Sequence, residues 1–111
     1  MKIGDIIYDL EQWAPLSLQE SYDNSGLIVG NMMWETNGVL VALDCLEEVV
    51  DEAIEKGTRL IVTHHPIVFT GLKRFNGGTY IERVIMKAIK NDIAIYSIHT
   101  NLDNVHWGVN A

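Results

Sequence analysis

The chain is poor in the features that would staple it, anchor it or make it stick to a polyanion. It holds one cysteine, Cys45, so no internal disulfide can form, which fits a reducing compartment. No apolar run approaches the roughly 18 residues that a membrane-spanning helix needs. The first residues place Asp5, Asp9 and Glu11 where a signal peptide requires an unbroken apolar stretch. Basic residues are scarce: eight Lys and Arg stand against fifteen Asp and Glu, a formal charge of −7. A protein built to coat nucleic acid needs the opposite balance, because phosphate binding works through a basic face that releases counterions. The one basic doublet, Lys73-Arg74, is too short to serve as such a face. We therefore expect a cytoplasmic protein with neither nucleic acid nor membrane among its partners. Repeats, low-complexity tracts and linkers are also missing.

What is present reads as one α/β domain over residues 1–111. At 48% hydrophobic and 21% charged, the composition is that of an ordinary globular protein. Ile3, Ile6, Ile7, Leu10 and Trp13 recur at helical spacing, so residues 3–13 are predicted as an amphipathic helix that Pro15 ends. LIVG (27–30) reads as a strand. The Asn37-Gly38 turn signal predicts a hairpin from it into VLVAL (39–43). Leu46, Val49, Val50, Ala53 and Ile54 then mark a second helix, with Asp44 and Glu47 as its capping pair and Gly57 as its stop. LIVT (60–63) is a strand. Thr79 and Glu82 open a third helix whose stripe is Ile81, Val84, Ile85, Ala88 and Ile89. IAIYSI (93–98) closes a β-α-β-α-β run of near-continuously apolar strands. That pattern predicts a mostly parallel sheet flanked by helices, with all three carboxyl ends on one side. Few elements are left to cover both faces of such a sheet. The missing cover is expected from another part of a longer protein or from another subunit.

Each of these three apolar runs stops at a side chain able to bind a metal. Residues 39–43 run into Asp44, residues 60–63 into His64-His65-Pro66, and residues 93–98 into His99 with Asp103 four residues on. Open α/β sheets bind ligands at that carboxyl edge. Imidazole nitrogen and carboxylate oxygen together suit zinc, iron, manganese and similar divalent ions. Neighbours in a strand point to opposite faces, so His64 and His65 serve one site only if the backbone turns there, which Pro66 assists. Two histidines pointing slightly apart suit two ions better than one, with Asp103 between them. The ordinary alternative is a pair of strand-end histidines hydrogen-bonded to backbone. His99 is a ligand, a general acid/base or a group orienting Asp103, against a buried histidine bonded to a loop.

Asp44 is best read as a helix cap, and Cys45 as a small buried apolar residue rather than a ligand. His106 and Trp107 lie in a glycine-bounded loop that would line the crevice or pack. Asp23-Asn24-Ser25-Gly26 is a turn signal. Gly77-Gly78-Thr79 offers N–H groups to a phosphate, but capping of the following helix explains it better.

Taken together, these blocks resemble a known family. Pro15-Leu16 with Gln19-Glu20-Ser21 and Asp23-Asn24-Ser25-Gly26-Leu27 resembles the opening of the GTP cyclohydrolase I type 2 homologues, the Nif-three-like proteins. Thr63-His64-His65-Pro66-Ile67 with Phe69 looks like their central motif. His99-Thr100-Asn101-Leu102-Asp103, followed by Gly108-Val109-Asn110, looks like their third. The resemblance spans nearly the whole chain in the right order. It implies an α/β fold carrying a dinuclear centre of divalent ions (zinc, iron or manganese) and ring-shaped homohexamers. It makes His64, His65 and Asp103 metal ligands, with Asp103 bridging, and places His99 beside them as the catalytic candidate. The family's other ligands are a histidine and a glutamate in a C-terminal segment with no match here, so residues 1–111 resemble only the N-terminal part of a member. The function this implies is metal-dependent hydrolysis, with ion-bound hydroxide attacking a nucleotide-like or phosphoester small molecule. The rival expectation is a non-enzymatic metal-binding or regulatory scaffold acting through oligomerisation.

Overall fold

In the computed structural model, residues 1–15, 26–67 and 72–98 are described. The elements are α1 (Ile3–Trp13), β1 (Gly26–Val29), β2 (Leu40–Ala42), α2 (Glu47–Lys56), β3 (Leu60–Thr63), α3 (Tyr80–Lys90) and β4 (Ala94–Ser97). The strands form one sheet in the order β1-β4-β3-β2. β2, β3 and β4 are parallel, with Leu40 beside Ile61 and Ile61 beside Ile95. Their carboxyl ends therefore share one edge, as the β-α-β-α-β pattern predicts.

Alternation along the central strands builds a core on each face. Ile61 and Ile95 point to the side covered by α2 and α3, where they meet Val50, Ala53, Val84 and Ala88. Leu60, Val62, Ala94 and Tyr96 point to the other side and pack on Ile3 and Ile7 of α1. Every residue of β3 and β4 is buried. The buried Tyr96 hydroxyl donates to Glu11 Oε2 (3.0 Å), tying α1 to the sheet. Among the described residues of the sheet, the expected shortage of cover shows at β2. Val41 stands beside Val62 on the α1 side, yet it is 74% exposed because α1 does not reach it.

The predicted hairpin between residues 27–30 and 39–43 does not form. β1 pairs antiparallel with β4, Leu27 opposite Tyr96, and lies at the edge of the sheet away from β2. The physical reason lies in residues 31–36. Helix α1 has no side-chain cap, and its first N–H groups need acceptors. The Trp34 carbonyl accepts from Ile3 N–H and the Met32 carbonyl from Gly4 N–H, both at 2.8 Å. The connection is spent on capping α1 and cannot double back. Asn37-Gly38 then turns without the left-handed backbone that a two-residue hairpin requires. The Thr36 hydroxyl organises the turn by donating to the Gly38 carbonyl (2.8 Å) and accepting from Arg59 N–H (3.0 Å). Gly30 enters this connection at φ 108°, where an added Cβ would meet Ala94 Cβ at 2.7 Å.

Candidate metal centre

The carboxyl edge is stitched together by main-chain bonds that continue just past the strands. His64 N–H donates to the Ala42 carbonyl (3.3 Å), His65 N–H to the Leu43 carbonyl (3.0 Å) and Ile98 N–H to the Thr63 carbonyl (2.9 Å). The Thr63 hydroxyl reaches forward to the His65 carbonyl (2.9 Å) and holds the turn. The backbone bends at His64 and His65, so their side chains do not diverge as strand neighbours would. The ring centroids are 5.2 Å apart and the planes are tilted by 44°.

Both rings are oriented through the same nitrogen. His64 Nδ1 lies 2.9 Å from the carbonyl oxygen of Ile98. A carbonyl only accepts, so Nδ1 carries the proton and donates. His65 Nδ1 lies 2.7 Å from Asp44 Oδ1, where an ionised carboxylate likewise only accepts. In a neutral imidazole the lone pair then sits on Nε2, the state in which histidine binds a metal. A groove of about 350 Å³ runs beside His64, lined by Val41, Leu43, Val62 and Ile98.

Asp44 does not cap α2. The N-cap is Leu46, and no side chain bonds the free N–H groups there. Glu47, read as its capping partner, instead accepts from Arg83 Nε of α3 (2.7 Å). The Asp44 carboxylate is committed across the sheet to His65, 21 positions away. The signal for this was its place at a strand's carboxyl end, masked by a local D-x-x-E pattern. Cys45 is buried, as read from the sequence, and desolvation pushes its thiol up to about 12, which keeps it protonated and apolar. At Gly77-Gly78-Thr79 capping prevails. Thr79 Oγ1 accepts from Glu82 N–H (3.2 Å), and Glu82 Oε1 accepts from Asn76 N–H (3.1 Å) and Gly78 N–H (3.3 Å). The N–H groups a phosphate would use are occupied by Glu82.

His99, Asp103, His106 and Trp107 lie outside the described residues, as does the Asp23-Asn24-Ser25 turn. Among the described residues, no three His, Cys, Asp or Glu side chains form a metal-sized group. The structure therefore brings together His64, His65 and, behind His65, Asp44. As a donor set, two neutral imidazoles with Nδ1 committed fit a divalent ion as two of its ligands. No helix among the described residues is long and apolar enough to cross a membrane.

The family model for Duf34/NIF3 (NGG1p interacting factor 3) matches residues 1–111. The chain belongs to the Duf34/NIF3 family. It is 44% identical over 110 residues to a GTP cyclohydrolase 1 type 2 homolog of Clostridium acetobutylicum, covering 99% of this chain and 41% of that one. The crystal structure of a Staphylococcus aureus hypothetical protein superposes with a TM-score of 0.93 at 46% identity, covering 99% of this chain and 36% of that one. A Bacillus cereus protein related to NIF3 gives 0.93 at 43% identity, with coverage of 99% and 30%. The chain thus spans less than half the length of these Duf34/NIF3 relatives.

Proposed function

We propose that this chain supplies part of a dinuclear metal-dependent hydrolase site. His64 and His65, through Nε2, and Asp103 would hold the ions, and His99 would take or give a proton. The observation that carries the reading is the shared state of the two histidines. They sit at the sheet's carboxyl edge with ring centroids 5.2 Å apart, each with Nδ1 donating to an oxygen. Divalent ions held there supply Lewis acidity and a water acidified toward neutral pH. The Ile98 carbonyl and the Asp44 carboxylate hold the two rings, and the Thr63 hydroxyl holds the turn between them. The open groove of Val41, Leu43, Val62 and Ile98 offers an apolar wall beside His64 that suits the flat, apolar part of a nucleotide-like small molecule. The name carried by the Clostridium relative, GTP cyclohydrolase 1 type 2 homolog, is compatible with such a substrate. The exposed Val41 and Leu43 support assembly into a homo-oligomer, a hexamer by resemblance, and a single cysteine suits a reducing cytoplasm.

A second reading, a metal-binding scaffold that acts through oligomerisation without turnover, is favoured by one observation: the exposed apolar flank of β2, Val41 and Leu43. Elemental analysis of untagged protein prepared without chelators separates the first step from the rest. About one equivalent or more of zinc, iron or manganese per chain, lost in His64→Ala, supports the site. Metal content unchanged by His64→Ala overturns it. Hydrolysis of nucleotides or phosphoesters that depends on His64 and Asp103 then separates the enzyme from the scaffold.

A further inference from the structure

The adjacent histidines are held by unlike partners. His64 donates to a neutral main-chain carbonyl, whereas His65 donates to a carboxylate. Residues 43 and 44 grip residue 65 twice: the Leu43 carbonyl takes its N–H and Asp44 takes its ring. In water a neutral imidazole moves its proton between both nitrogens, so an unsupported histidine presents a lone pair at Nε2 only part of the time. An acceptor fixed against Nδ1 removes that choice. A helix-capping role does not account for Asp44, since α2 starts from Leu46 with no side-chain cap. A bare surface ion pair does not account for it either. The His65 and Asp44 side chains are 43% and 52% exposed, and pairs so exposed contribute little to stability.

We propose that Asp44 is a positioning residue. It holds the proton of His65 on Nδ1 and thereby presents Nε2 to the metal. This rests on the reading of His65 as a ligand. The test uses the whole chain, ¹⁵N-labelled, with imidazole nitrogen spectra recorded at pH 8 for the wild type, Asp44→Ala and Asp44→Asn. Zinc affinity is measured on the same samples by competition with a chromophoric chelator. The wild type is expected to show His65 protonated at Nδ1. Asp44→Ala is expected to shift it toward the Nε2–H form, while Asp44→Asn, whose amide oxygen still accepts, retains Nδ1–H. His64, anchored by Ile98, stays the same in all three and serves as the internal reference. Zinc affinity is expected to fall about 10–100-fold in Asp44→Ala and to recover in part in Asp44→Asn. A His65 that keeps Nδ1–H in Asp44→Ala overturns the proposal, whatever happens to zinc. A tautomer switch in Asp44→Ala with no zinc bound by the wild type upholds the action of Asp44 on His65 and overturns the reading that residues 1–111 hold the metal by themselves.

Discussion

Helices α2 and α3 begin with matching sequence signals, an acceptor side chain followed three residues later by glutamate, and the two signals come to different ends. At α3 the signal is local. Thr79 accepts from Glu82 N–H and Glu82 returns to the preceding N–H groups, so the helix start closes on itself. At α2 both members look outward: Asp44 to His65 at the sheet edge, Glu47 to Arg83 on the neighbouring helix. The start of α2 goes without a side-chain cap. Helix α2 starts from Leu46, two residues past Asp44, so Asp44 is out of place to cap it and its carboxylate is engaged at the sheet edge instead. The contrast thus separates a residue that closes its own helix from one that reaches a distant partner.

The comparison can be broken most severely from beneath. Ile61 is fully buried under both helices, so Ile61→Ala should cost about 2–5 kcal/mol and weaken α2 and α3 alike, read by urea denaturation. The next effect is selective. Thr79→Ala should cost about 1 kcal/mol of stability and leave zinc affinity unchanged. Asp44→Ala should do the reverse, with stability changed by less than about 0.5 kcal/mol, as befits a surface residue that caps nothing. Equal losses of stability in the two variants would erase the distinction. The smallest effect is one of pH. Main-chain N–H bonds, that of Asn76 foremost, hold the Glu82 carboxyl below its ordinary 4.5. A carboxyl lowered on folding stabilises above its unfolded value and loses that contribution as pH falls through its folded value. The gap in thermal midpoint between the wild type and Glu82→Gln should therefore be full above pH 4.5 and close as the solution is acidified below it. A gap constant down to acid unfolding would mean that the box acts through shape alone.

Much of this was legible in the chain because its signals were local or periodic. The helices α1, α2 and α3 and the strands β3 and β4 follow from apolar spacing, and the strand-end position of His64 and His65 by itself points to the sheet edge. The errors share a cause: each was a local pattern overruled by a partner far along the chain. Asn37-Gly38 looked like a hairpin turn, but residues 32–34 are needed as acceptors for α1, and β1 finds its partner in β4. Asp44 looked like a cap because Glu47 stood at the right distance. No spacing rule reports that the next strand's histidine lies 2.7 Å away. The catalytic candidate His99 and the proposed ligand Asp103 fall outside the described residues, so their part of the expectation rests on sequence position and resemblance.

The bare flank of β2 also bears on how the isolated chain behaves as a colloid. Val39, Val41 and Leu43 are exposed at every second position, on a strand that is at the sheet edge among the described residues. No lysine, arginine or proline interrupts residues 37–45, so the strand lacks the usual gatekeepers against edge-to-edge pairing. What keeps copies apart in dilute buffer is the net charge of −7. Salt shortens the reach of that repulsion from about 30 Å at 0.01 M to about 3 Å at 1 M while leaving the apolar strip as sticky as before. Concentrated solutions of the chain should therefore keep best at low ionic strength and turn cloudy as salt is added.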